Sequence, residues 1–183
     1  SDVCSSDLQP DPVLIDEAVK LAAAAEVAIV VIGLTDDFES EGFDRTRLDL
    51  PEAHNALIAA LAQTSAKLVV VLCNGSPVLM PWIDQVDAVL EVNLSGEAGG
   101  EALWSVVLGE ESPSGKLAES FPLDLAHVPC MACFPMGPKA VDYRESLYVG
   151  YRYYDSVNAP VLFPFGYGLS YTSFAYHHLR ISR

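Results

Sequence analysis

Val27-Ala28-Ile29-Val30-Val31-Ile32-Gly33-Leu34 is a continuous apolar run dominated by β-branched residues. That is the pattern of a strand covered on both faces rather than one with a wet side. Such strands build parallel α/β sheets, which bind their ligands beyond the carboxyl ends of the strands. The stretch at that end, Phe38-Glu39-Ser40-Glu41-Gly42-Phe43-Asp44-Arg45, concentrates carboxylates, a guanidinium and a glycine. Chemistry is expected there.

Upstream of the strand, Val13 to Ala25 carries apolar residues at helical spacing behind a start signal at Asp11 or Pro12. Residues 1–11 read as a non-native or truncated leader, so Cys4 carries no weight. Downstream, Pro51 and Glu52 open a second helix through His54, Leu57, Ile58 and Leu61. Lys67 to Cys73 is the next buried strand, broken by Asn74-Gly75-Ser76-Pro77. A short helix from Pro81, a strand over Ala88 to Leu94, a loop Ser95 to Gly100 and a helix Glu101 to Leu108 repeat the rhythm. Right-handed crossovers then imply a three-layer α/β/α sandwich with a mostly parallel sheet. Three strong strands are few for a free-standing doubly wound sheet, and the chain opens on a helix, so truncation on the N-terminal side is expected. After Gly109 the composition turns to Pro, Gly and aromatics, an irregular C-terminal wrap with short edge strands.

The 183 residues, 51% hydrophobic and 19% charged, suffice for one ordinary core. A formal charge of −15 with ten Lys and Arg disfavours nucleic acid, whose phosphates need clustered cations. The apolar runs are strand-length, short of the roughly 20 residues that span a bilayer, so no membrane partner is predicted.

The three strand ends should bring residues 35–45, 74–77 and 95–100 to one rim. In an extended segment Glu39 and Glu41, two apart, would point the same way. Whether they do proton transfer or form a solvated acidic loop stays open on this evidence. Gly96-Glu97-Ala98-Gly99-Gly100 has the wrong spacing for a dinucleotide, with Glu97 where pyrophosphate charge would sit. Gly109 to Lys116 misses a phosphate loop, because Leu117 replaces the magnesium-binding hydroxyl. Ser76 lacks the second glycine of a nucleophile elbow and a placed His. Cys130 and Cys133 form a Cys-x-x-Cys without a second ligand pair, and His54, His127, His177 and His178 have no metal-site spacing. No metal and no cofactor is predicted. The aromatics Tyr143, Tyr148, Tyr151, Tyr153, Tyr154, Phe163, Phe165 and Tyr167 are read as burying area against neighbours rather than as a sugar platform.

An ordered series of segments carries a family resemblance. It runs through Val30-Val31-Ile32-Gly33-Leu34, Glu39-Ser40-Glu41-Gly42-Phe43-Asp44-Arg45 with Leu48-Asp49-Leu50-Pro51, and Val70-Val71-Leu72-Cys73-Asn74-Gly75-Ser76-Pro77-Val78. It continues in Gly96 to Ala102, Pro113-Ser114-Gly115-Lys116-Leu117, Tyr143-Arg144-Glu145, Val149 to Tyr154 and Leu162 to Phe174. Together these resemble the C-terminal α/β sandwich domain of glycoside hydrolase family 3, the β-glucosidase family, over about residues 12 to 176.

The resemblance implies a retaining glycosidase acting on terminal non-reducing β-linked glucose or a related sugar, its partner thus a β-linked glycoside or oligosaccharide. By match with the Glu-Gly-aromatic-Asp-Arg motif, the general acid/base falls on Glu41, with Glu39 the alternative. Asp44 and Arg45 would anchor the loop or bind substrate. In the family the nucleophilic Asp resides on an N-terminal (β/α)8 barrel, so an intramolecular contact with such an upstream domain is expected and this chain alone should be inactive. Residues 177–183 would start a linker to a fibronectin-type-III-like domain. Alternatives are a stand-alone carbohydrate-binding or structural module and, within the family, a β-xylosidase. An N-acetylglucosaminidase is disfavoured, because those enzymes often keep a His–Asp acid/base on the barrel.

Overall fold

The computed structural model describes residues 9–134 and 140–182; the leader reading for residues 1–8, Cys4 included, lies outside them. Helix α1 spans Pro12–Ala23, capped by Asp11, whose Oδ1 accepts the Val13 and Leu14 amides at 2.8 and 3.3 Å. Asp11 thereby satisfies two of the orphan donors at the helix start, and Pro12 sits where its missing N–H costs nothing. Strand β1 (Val27–Gly33) follows, then α2 (Glu52–Leu61), β2 (Lys67–Cys73), a 3-10 turn (Ile83–Gln85), β3 (Ala88–Glu91) and α3 (Gly99–Val107).

The strands form a parallel sheet in the order β1-β2-β3. Val27 pairs with Lys67 and Gly33 with Cys73, while Val69 pairs with Ala88 and Leu72 with Glu91. The α/β class with a parallel sheet is as expected from the sequence. Asp87 closes the near end, accepting the Leu68 amide at 2.9 Å and Lys67 Nζ at 3.1 Å.

Side chains alternate between the sheet faces, and the faces are unequal. Val30, Ile32, Leu68, Val70 and Leu72 enter one core with Ala22 of α1 and Ile58 and Leu61 of α2. On the opposite face Val71 is fully buried, but Val27, Ile29 and Val31 remain 51%, 37% and 59% exposed. Trp82, 2% exposed, plugs the first core and donates its indole N–H to Asn55 Oδ1 at 2.9 Å.

The wrap is pinned to this core. Leu117 and the Gly166–Tyr167 backbone exchange hydrogen bonds of 2.8 Å, and Lys116 Nζ donates to the Gly168 carbonyl. Strand β4 (Phe121–Pro122) pairs antiparallel with β5 (Val161–Phe163) after α4 (Tyr151–Val157), and Phe121 meets Phe163 edge-on at 6.4 Å. Phe163 and Tyr154 bury area against neighbours, as expected, whereas Tyr143 stays 87% exposed and Tyr148 and Phe165 are exposed too. Cys133 is buried, its thiol donating to Glu145 at 3.4 Å, and burial pushes it above the usual thiol range, the setting of an unreactive thiol. No helix among the described residues is long and apolar enough to cross a membrane.

Two details differ from expectation. Strand β3 ends at Glu91 rather than Leu94, because Asn93 takes a positive φ of 51°, which breaks the extended geometry. The helix anticipated from Pro81 is only the 3-10 turn.

Gly33 fixes how β1 hands over to the acidic loop. A Cβ there would lie 2.2 Å from the Cys73 carbonyl oxygen, the atom that accepts the Leu34 amide at 3.1 Å. Gly33→Ala must push the strand ends apart and is expected to cost about 1–3 kcal/mol, read by chemical denaturation.

Candidate active site

The loop after β1 is not extended. The Thr35 carbonyl accepts the amides of Phe38 and Glu39 at 2.8 and 3.0 Å, forming a turn, and residues 41–42 turn again. The expectation that Glu39 and Glu41 point the same way fails for that reason, since two-residue alternation holds only along extended backbone. Glu39 turns inward and Glu41 stands exposed.

Glu39 is tied to the loop after β2. Its Oε2 accepts the Gly75 amide at 2.7 Å and its Oε1 accepts the Ser76 hydroxyl at 2.7 Å. A Cβ on Gly75 would come within 3.0 Å of that carboxylate, so glycine makes the close approach possible. Arg45 Nη1 donates to the same Ser76 oxygen and lies 3.9 Å from Glu39 Oε1. Ser76 thus bridges cation and anion, accepting from one and donating to the other. The Arg47 guanidinium, 5.2 Å over the Phe38 ring, draws the two limbs of the loop together. The Leu79 amide holds the Leu48 carbonyl at 2.9 Å where the loop returns toward α2.

Asp44 and Arg45, expected to anchor the loop or bind substrate, do not pair with each other. Arg45 instead pairs with Glu39, and Asp44 is exposed, with no ion pair among the described residues. Glu41 has neither hydrogen bond nor ion pair among the described residues. The rim convergence expected of three loops is real for the first two. The third, residues 95–100, makes no hydrogen bond or ion pair with them among the described residues, and Gly96 and Gly100 are exposed; Glu91, at the end of the preceding β3, contributes instead.

Asn74, expected at the rim, is joined there by two residues that were not, Glu91 and Glu119. Asn74 is 1% exposed, and its Nδ2 donates to the Ser76 carbonyl at 2.8 Å and to Glu91 Oε2 at 3.4 Å. Burial, opposed by hydrogen bonds from Asn93 and Asn74, raises the Glu91 carboxyl from 4.5 to about 7. Glu119 is likewise raised by burial, and Arg45 is lowered by burial against the pull of Glu39, Glu119 and Asp49. A charge inside the apolar stretch Ala88-Val89-Leu90-Glu91-Val92 was the one signal available for Glu91. Glu119, in the wrap, had none. No group of His, Cys, Asp and Glu among the described residues is arranged to hold a metal ion.

The rim therefore has two parts: a socket of Asn74, Gly75, Ser76, Glu39 and Arg45, and a carboxylate, Glu41, carried outward on the segment it holds. Comparison with known proteins gives this arrangement its family. The model of the glycosyl hydrolase family 3 C-terminal domain matches residues 8–171. Thermostable beta-glucosidase B of Acetivibrio thermocellus is 53% identical over 173 residues, 94% of this chain and 23% of that protein. An exo-alpha-(1->6)-L-arabinopyranosidase of Bifidobacterium longum is 47% identical over 92% of this chain and 22% of its own length. The crystal structure of the Bifidobacterium adolescentis GH3 beta-glucosidase superposes with a TM-score of 0.88 at 46% identity, over 92% of this chain and 25% of that one. The chain thus spans about a quarter of the length of the relatives it matches, and it belongs to the glycosyl hydrolase family 3 C-terminal domain family.

Proposed function

We propose that this chain is the acid/base-donating domain of a retaining, β-glucosidase-like glycoside hydrolase, with Glu41 as the general acid/base. The observation that carries the reading is the division of labour in the loop. Glu39 is committed to Gly75, Ser76 and Arg45, while Glu41 is exposed and unpaired among the described residues. A carboxyl that gives a proton to a leaving oxygen, then activates water, must be free to reach the glycosidic bond. Its root must still be fixed, because misplacement by about 1 Å can cost on the order of a hundredfold in rate.

Retention requires a second carboxylate about 5–5.5 Å from the first, acting as nucleophile. In the family that Asp belongs to the barrel domain, so the chain is expected to work as part of a longer polypeptide and to be inactive alone. The substrate is a terminal β-linked glucoside or a related sugar. Relatives named for glucose and for arabinopyranose are 53% and 47% identical to this chain over the segment they share with it, which supports sugar choice being made outside it. Arg45, through Ser76 and Glu39, serves loop geometry rather than substrate binding.

The two carboxylates are separated by the size of the loss on alkyl glycosides. Glu39→Gln in the full-length protein should lower kcat on alkyl glycosides by only on the order of tenfold, because it loosens the loop but leaves the carboxyl of Glu41 in place. A loss on alkyl glycosides of about 10²–10⁴ in Glu39→Gln, with only a small loss in Glu41→Gln, would make Glu39 the acid and defeat the assignment of Glu41.

A further inference from the structure

We propose that Glu91 is a positioning residue for the acid/base loop: through Asn74 it holds the Asn74-Gly75-Ser76 segment as the socket for Glu39 and Arg45, and so fixes where Glu41 stands. This rests on the reading of that loop as the acid/base carrier.

The connection is continuous. Glu91 Oε2 accepts Asn74 Nδ2 at 3.4 Å, the same nitrogen donates to the Ser76 carbonyl at 2.8 Å, and the Gly75 amide and Ser76 hydroxyl hold Glu39. The far oxygen of Glu91 accepts the Asn93 amide at 3.1 Å, which anchors the carboxyl to its own strand end. Asn74 is buried, so it has little room to settle elsewhere if Glu91 is lost. Its Oδ1 has no partner among the described residues, so its orientation depends on the two bonds from its nitrogen.

The charges around Glu91 give the link a sign. Glu39 from the loop after β1 and Glu119 from the segment before β4 both disfavour its ionisation, and Cys73 at the end of β2 feels its charge. Arg45 is drawn to Glu39 and Glu119. An ionised Glu91 would add a further negative charge to a cluster built on that guanidinium. With the loop closed the carboxyl is held near 7, and once the loop opens and water reaches it, it returns toward 4.5. The closed loop therefore binds the proton more tightly. The part of its stability owed to Glu91 is complete below about 4.5 and is lost as pH rises through about 7.

Hydrogen exchange of the amides of residues 38–45 in the full-length protein, corrected for intrinsic rates, reads this directly. Wild-type protection should fall with pH across that window, by up to about tenfold per unit for one proton. Glu91→Gln, neutral at every pH and still an acceptor, should flatten the profile. A second reading comes from kinetics: Glu91→Ala should lower kcat about tenfold with KM within about twofold, and Glu91→Gln, whose single oxygen can keep one of the two hydrogen bonds, should restore it in part. An unchanged pH profile of protection in Glu91→Gln, or a loss in Glu91→Ala that appears only in KM, would overturn the proposal. Failure of the Glu41 assignment would show instead in the leaving-group test, with the exchange result intact.

Discussion

Glu41→Gln in the full-length protein is expected to cut kcat/KM on alkyl β-glucosides and cellobiose by about 10²–10⁴, while hydrolysis of activated aryl glucosides falls far less. General acid catalysis contributes a factor of that size when the leaving oxygen needs a proton. A dinitrophenolate leaves unaided, so its departure does not consult the acid. The substitution is nearly isosteric and falls on a side chain with no hydrogen bond or ion pair among the described residues, so folding should be untouched. With activated substrates the second step becomes exposed, because in the proposed role Glu41 also activates the water that releases the sugar. Small anions such as azide should therefore restore turnover of aryl glucosides in Glu41→Gln and yield the glycosyl azide. Equal losses on both substrate classes would remove Glu41 from the role.

Trp82→Ala should be the most damaging substitution in the core, at about 3–5 kcal/mol against a typical domain stability of about 5–15 kcal/mol. The indole is 2% exposed and packs in the cluster with Ile58, Val78 and Met80. Its removal leaves a large cavity and strips Asn55 Oδ1 of the 2.9 Å hydrogen bond it receives. Trp82→Phe keeps much of the apolar area and loses the N–H, so it should cost less, about 1–2 kcal/mol. Urea denaturation of the pair separates the terms. The consequence reaches the rim, because Leu79, in the segment leading to Trp82, holds the Leu48 carbonyl where the acidic loop rejoins α2. A Trp82→Ala protein that remains folded at low temperature should show lowered kcat as well as lowered stability.

Strands β1 and β2 were legible because each is a run of β-branched and aliphatic residues bounded by polar or turn residues, and periodicity reads such runs directly. Helices α1 and α2 announced themselves through Asp11-Pro12 and Pro51-Glu52. The end of β3 was not legible. Val92, Asn93 and Leu94 have nothing in composition that forbids a strand, and only the backbone at Asn93 ends it. The candidate site divides the same way. The carboxylates and Arg45 stood out by type and position, and the family motif singled out Glu41. That Glu39 turns inward depends on a turn at Thr35 and on the Gly75 amide, 36 residues away.

The sequence by itself determined the class of fold, the order of its elements and the segment proposed to carry the chemistry, because apolar periodicity, caps and a contiguous motif are local properties. Tertiary structure alone decided which of two carboxylates is held and which is free, brought Ser76 and Glu119 to Arg45, and set Asn74 against Glu91. Those are contacts between segments far apart in the chain. Burial and neighbouring charge, which set the protonation of Glu91, exist only once the sheet and its loops have closed on one another.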